Sequence, residues 1–148
     1  MEIRKAAAED FATAFQFICA LWDYNTYDKA EIEKVYKRVL ADENSFIYFL
    51  IDQGECKGFC HGCFFDTFWM SGATCYLASL FTTEKDRNKG YGTALINFVR
   101  ELASEKGCRA ITLDSGISRI SAHKFYENCG FVKSCYGFDM ELSYPKAK

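Results

Sequence analysis

Apolar and polar positions along this chain fall into runs of two periods, and their order outlines a fold. Phe11, Ala14, Phe15, Ile18 and Trp22 recur at helical spacing behind Asp10, a residue suited to an N-cap. Ile32, Val35, Tyr36 and Val39 repeat that spacing and predict a second helix. Between the two lies Trp22-Asp23-Tyr24-Asn25-Thr26-Tyr27, an aromatic-rich connection. A short strand over Glu2–Ala6 precedes both helices. Ser45–Asp52 is a β-rich run, Gln53-Gly54 turns it into a second strand from Cys56 toward Trp69, and Met70-Ser71-Gly72 leads into a third. Short turns between successive strands predict an antiparallel meander.

The third strand ends in Tyr76-Leu77-Ala78-Ser79-Leu80-Phe81. Arg87-Asn88-Lys89-Gly90-Tyr91-Gly92 follows, and then Ala94, Leu95, Phe98, Val99 and Leu102 line one face of a helix. Lys106-Gly107 stops that helix before a strand at Ala110-Ile111-Thr112-Leu113. Strand, helix, strand in that order predicts a right-handed parallel crossover. Ser118 to Cys129 reads as a further helix closed by Gly130. Val132, Ser134, Tyr136, Phe138, Met140 and Leu142 alternate with polar or small residues, which predicts a final strand or hairpin. Pro145 and the last few residues are expected to fray. The sum is a single α/β (α+β) domain over residues 1–148, with a mixed, mostly antiparallel sheet and about four helices.

The loop from Arg87 to Gly92 is the stretch with the most chemistry. Its glycines let backbone approach a ligand without a Cβ in the way. The first amides of the helix behind it lack intrahelical acceptors, and the helix dipole adds partial positive charge there. Lys85, Arg87 and Lys89 add full charges, so the loop describes a seat for a phosphate or pyrophosphate. Two common nucleotide loops fail on spacing. A P-loop needs Gly-Lys before Ser or Thr, whereas Thr93 follows Gly92 directly. The dinucleotide fingerprint needs a third glycine where Leu95 stands.

Leu80-Phe81-Thr82, then Arg87-x-x-Gly90-x-Gly92, and later Ala122-x-x-Phe125-Tyr126-x-x-x-Gly130-Phe131, resemble the GNAT family of N-acetyltransferases. The resemblance implies that Arg87, Asn88, Lys89, Gly90, Tyr91, Gly92 and Thr93 hold the pyrophosphate of acetyl-coenzyme A, chiefly through backbone amides. It implies that Phe81 and Thr82 lie along the pantetheine, and that Tyr126 protonates the departing thiolate. It also implies a GNAT-type sheet flanked by helices, and an acceptor region that includes the loop with Trp22, Tyr24 and Tyr27. His123 belongs to the helix start expected to face the cleft.

Two departures stand out. Many relatives carry a Glu or Asp on the strand before the loop, and Thr74-Cys75-Tyr76-Leu77-Ala78-Ser79-Leu80 has none. Asp114, Asp66 or a water chain through Ser79 all stay open as the base. Arg119 stands where relatives often have an Asn touching the pantetheine arm. The reaction implied is acetyl transfer from acetyl-coenzyme A to a primary amine of a small molecule or peptide, by direct attack in a ternary complex. The alternative is a non-catalytic acyl-coenzyme A-binding sensor or regulatory module.

Composition narrows the partners. A net charge of -2 argues against a general nucleic-acid binder. No apolar run reaches membrane-spanning length, and the charged start Met1-Glu2-Ile3-Arg4-Lys5 lacks a signal-like core, so a cytoplasmic protein with reduced thiols is expected. Cys56-x-x-x-Cys60-His61-x-Cys63 suggests a metal site, but on a strand Cys56 and Cys60 share a face and Cys63 points away. No metal is expected. Small domains with aromatic-rich strands often pair, which leaves a homodimer open.

Overall fold

In the computed structural model, which describes residues 1–142, the chain forms two compact units, Met1–Leu113 and a second from Asp114 onward. Pro145 lies outside the described residues. The first unit holds β1 (Glu2–Lys5), α1 (Phe11–Leu21), α2 (Lys29–Ala41), β2 (Ser45–Asp52), β3 (Glu55–Thr67), β4 (Gly72–Thr82), α3 (Tyr91–Glu105) and β5 (Ala110–Thr112). The strands lie in the order β1-β2-β3-β4-β5, antiparallel except for the parallel pair β4–β5. The second unit carries α4 (Ile120–Asn128). Among the described residues this is the mixed, mostly antiparallel sheet with four α-helices that the sequence pattern predicts. No helix among them is long and apolar enough to cross a membrane.

One face of the sheet is a ladder of rings. Phe49 pairs with Phe59, and Phe59 with Phe81. Phe17 of α1 lies over all three, at ring-centroid distances of 6.3, 5.7 and 5.1 Å. The helical spacing names Phe11 and Ala14, which are buried, and Phe15 and Ile18, which pack half-buried against the same cluster, but it omits Phe17. The buried residues Phe11, Ala14 and Phe17 step by three, so the buried stripe drifts around the helix relative to a 3.6-residue repeat. Phe17→Ala is expected to cost about 3–5 kcal/mol in urea unfolding, the range for a large ring removed from a packed core. On the opposite face Phe98 of α3 meets Tyr48 edge-on at 4.6 Å, and Leu95, Ile96 and Val99 are buried.

Asp10 stands at the N-cap of α1, but its side chain does not cap that helix. Its carboxylate accepts from the Arg4 guanidinium at 2.8 and 2.8 Å and from the Ala7 N–H at 2.8 Å. It thereby ties β1 to the turn that precedes the helix.

Two bulges reset the faces of β3 and β4. Cys56 pairs with Ile51 and Gly58 with Leu50, so Lys57 is the extra residue. The bulge turns Cys56 onto the Phe59 face, where it packs against the ring cluster. Cys60 therefore points the other way. Strict alternation predicted the reverse, because it could not register the inserted residue. Further along, His61 pairs with Ser79 and Gly62 with Leu77, so Ala78 bulges from β4. A Cβ on Gly62 would lie 2.3 Å from the Tyr76 carbonyl oxygen and 2.5 Å from the Phe46 ring, so only glycine fits there.

In the second unit α4 ends in a tight glycine turn. Gly130 takes a φ of 100°, the Phe131 N–H donates to the Tyr126 carbonyl at 3.0 Å, and the Gly130 N–H donates to Glu127 at 3.0 Å. These are the two bonds of a Schellman cap. The predicted final strand is not formed among the described residues. Val132, Tyr136, Phe138, Met140 and Leu142 are 74–94 % exposed. Their alternation defines an apolar edge, but a strand exists only with a ladder partner, and the stretch has none among the described residues.

Candidate active site

β4 and β5 pair only over Thr74–Tyr76 and Ala110–Thr112. From Leu77 to Thr82 no strand among the described residues pairs with the β5-facing edge of β4, which leaves its backbone donors and acceptors without a ladder there. Beyond Thr82 the chain makes a short 3-10 turn, Glu84–Asp86, and enters α3 through Gly90. Asn88 and Gly90 both take positive φ, 64° and 87°. No side chain caps α3. The amides of Tyr91, Gly92 and Thr93 thus precede the first intrahelical bond, Ala94 N–H to the Gly90 carbonyl at 3.0 Å. Uncapped amides at a helix start of this kind suit an anion.

Charge at the seat is more selective than the sequence suggests. Lys89 is 3.0 Å from Asp86, and Lys85 is 3.4 Å from Glu55. Arg87 is exposed and has no ion pair among the described residues. Arg87 is therefore the cation left for a ligand. Asp86 is only 3 % exposed and accepts from the Thr83 hydroxyl at 2.5 Å, with the Lys57 ammonium 3.5 Å away. The Thr83 hydroxyl and Lys89 pull its pKa down to about 2. The Lys57 ammonium is itself buried and reaches Glu55 at 2.8 Å. The Lys57 carbonyl also accepts from the Thr83 N–H at 2.9 Å, so the bulged residue of β3 grips the turn at two points. A third tie is the Tyr91 hydroxyl, which donates to Asp52 at 2.8 Å.

These clamps were missed in the sequence. Thr83-x-x-Asp86 carries a local signal, a hydroxyl three residues before a carboxylate. Lys57 and Asp52 carry none, since they arrive from other strands. The side chain of Tyr91 is committed to Asp52, which leaves its amide for a ligand. Phe81 is committed to the core against Phe17, which leaves its backbone. Trp22 is half-buried at the end of α1, Tyr24 is exposed, and the Tyr27 hydroxyl accepts from Asn25 at 3.0 Å. Among the described residues no group of three or more His, Cys, Asp or Glu side chains could hold a metal ion.

In the second unit Tyr126 sits three residues before the helix cap, and Phe131 follows the glycine turn. The spacing of the Tyr126-x-x-x-Gly130-Phe131 stretch is that of the cap itself, and it brings the two rings edge-on at 5.8 Å. Burial raises the Tyr126 pKa above its usual 10, partly offset by Arg119. The phenol therefore keeps its proton at neutral pH. Arg119 is the N-cap residue of α4, and His123 Nε2 lies 2.8 Å from the Gly116 carbonyl oxygen.

The chain matches the Acetyltransferase (GNAT) family over residues 5–131 and belongs to that family. It is 37% identical over 68 residues to the uncharacterized N-acetyltransferase YhdJ of Bacillus subtilis, covering 45% of this chain and 48% of the relative. That match spans about half the length of the relative. Among solved structures, a transcriptional regulator from Bacillus halodurans superposes with a TM-score of 0.87 at 24% identity, covering 95% of this chain and 99% of the other. The aminoglycoside acetyltransferase AAC(6')-Iy, solved with a bisubstrate analogue named CoA-S-monomethyl-acetylneamine, gives 0.81 at 17% identity, covering 97% and 98%. These structural likenesses show a shared fold.

Proposed function

We propose that this chain transfers acetyl from acetyl-coenzyme A to a primary amine of a small molecule or peptide, by direct attack in a ternary complex. The observation that carries the reading is the seat at Gly90–Thr93, with its uncapped amides at the end of an open β4 edge. Arg87 and the amides of Asn88 to Thr93 take the pyrophosphate, while the backbone of Phe81 and Thr82 runs along the pantetheine. Tyr126 protonates the thiolate as the C–S bond breaks, and Arg119 meets the coenzyme arm. Trp22, Tyr24, Tyr27 and His123 belong to the acceptor side. AAC(6')-Iy binds the bisubstrate analogue CoA-S-monomethyl-acetylneamine, which supports a ternary complex with a small amine. The family match crosses both compact units, which supports one functional domain.

The carboxylate-free run of β4 favours one second reading, a non-catalytic acyl-coenzyme A-binding module. Thiol release with acetyl-coenzyme A over a panel of small amines and free-N-terminus peptides separates the two. Release with one acceptor class supports the enzyme; calorimetric binding with no release supports the sensor. Arg87→Ala is expected to weaken acetyl-coenzyme A binding about tenfold and to flatten its salt dependence, since it removes the loop's unpaired cation.

A further inference from the structure

The roles above leave the acceptor's proton without a destination. At physiological pH an alkyl amine arrives as an ammonium ion, which has no lone pair to attack a thioester. No carboxylate on β4 can take the proton. The structure offers another group nearby, on the neighbouring strand.

His61 pairs with Ile47 of β2 on one side and with Ser79 of β4 on the other. It lies on the face that carries Phe49, Phe59 and Phe81, two residues past Phe59 and outside the buried ring cluster. His61 is half-buried, whereas Ser79 is 5 % exposed. Ser79 adjoins the bulged Ala78, on the part of β4 that has left β5. The His61 Nδ1 atom is 3.4 Å from the Ser79 hydroxyl oxygen.

We propose that His61, positioned by Ser79 beside the bulge of β4, is the general base that takes a proton from the acceptor ammonium. This role rests on the N-acetyltransferase reading above. A proton on Nδ1 shared with Ser79 fixes the tautomer that leaves the lone pair on Nε2. The ammonium loses two protons in all. The first passes to His61 and on to solvent, which frees the nitrogen lone pair. The nitrogen then bonds to the acetyl carbonyl carbon, the C–S bond breaks, and the second proton ends on the coenzyme A thiol.

Surroundings suit a neutral imidazole. On its own face the neighbouring titratable groups are Cys63 and Tyr76, which pair across β3 and β4. Asp42 acts on Cys63 rather than on His61. The titratable residue of α1 is Cys19. From α2 the buried titratable group is Tyr36, whose hydroxyl donates to the Ala7 carbonyl at 2.6 Å. Burial lowers the His61 pKa. The base form therefore dominates at pH 7, and activity is lost as pH falls through that lowered value, below the ordinary histidine value of about 6.5.

The test compares wild type with His61→Gln, using whichever of kanamycin, spermidine or a free-N-terminus tetrapeptide the wild type turns over fastest. His61→Gln is expected to lose roughly a hundredfold in kcat/KM at pH 7, with a deficit that shrinks toward pH 9 as the amine sheds its own proton. Its acetyl-coenzyme A Kd stays within about twofold of wild type. Imidazole added to His61→Ala restores part of the rate, which a structural role would not produce. Ser79→Ala shifts the acid limb of kcat/KM, as expected of a positioning residue. Should the variants fail to fold, the wild-type imidazole resonances still decide, because a His61 pKa at or above about 6.5 overturns the role. Wild-type rate and an unmoved acid limb in His61→Gln also overturn it. A wild type that binds no acetyl-coenzyme A overturns the loop reading instead. Binding without turnover on any of the three acceptors overturns this role together with the amine reading.

Discussion

Tyr126→Phe is expected to lower kcat about a hundredfold while leaving acetyl-coenzyme A affinity within about twofold. The substitution removes one hydroxyl and no packing. The ring still meets Phe131 and Phe125 edge-on, and the Gly130 cap is made by backbone bonds. Thermal stability should therefore hold. The phenol's pKa is raised by burial, so the proton-bearing form is present across the neutral range and any alkaline limb due to Tyr126 lies above about pH 10. Steady-state thiol release beside calorimetry of acetyl-coenzyme A separates the roles. An acid catalyst loses kcat alone, and a ring that only packs loses neither.

Asp86→Ala is expected to lower kcat/KM for acetyl-coenzyme A about a hundredfold, chiefly by loosening the loop. Asp86 binds the Thr83 hydroxyl and holds Lys57 and Lys89 in one buried junction. Among the described residues its loss leaves the buried Lys57 with the exposed Glu55 as its remaining ion-pair partner. Two effects then compete. Lys89 is freed and adds an exposed charge at the seat, but solvent and salt screen that gain. Misplacing the amides at Gly90–Thr93 acts on every bond they make, so the loss wins. Asp86→Asn keeps a partner for Thr83 without the charge and should fall between. The sign with pH follows from the lowered pKa. Asp86 drops from an ordinary 3.8 to about 2, so its contribution to stability is whole above pH 3.8 and is lost as pH falls through about 2. An acid unfolding midpoint that moves up in Asp86→Ala checks this independently of activity.

How far the sequence reveals this protein depends on whether each feature is local. Turns, helix ends and the glycine loop are written within a few residues, and β2 falls on Ser45–Asp52 as its composition indicates. The Gly130 turn was legible for the same reason. Phe17, the bulge at Lys57 and the junction around Asp86 were not, since each depends on a partner from a distant strand. A bulge also flips every later side chain, which is why the faces of Cys56 and Cys60 came out reversed. The alternating tail failed differently. Its pattern describes what a strand would bury, and the ladder that makes a strand has to come from elsewhere. Within the candidate site, the loop was legible from spacing and charge, while Arg87 emerged as the free cation only after Lys85 and Lys89 had found their carboxylates.

The central claim is that the start of α3 receives the pyrophosphate of acetyl-coenzyme A. Titration of the ¹⁵N-labelled protein with acetyl-coenzyme A, followed by amide resonances, tests it most directly. The amides of Gly90, Tyr91, Gly92 and Thr93 should show the largest shifts, with smaller ones along Leu77–Thr82, and Arg87→Ala should weaken the whole set together. Saturable binding that leaves Gly90–Thr93 unmoved would place the coenzyme elsewhere and contradict the account.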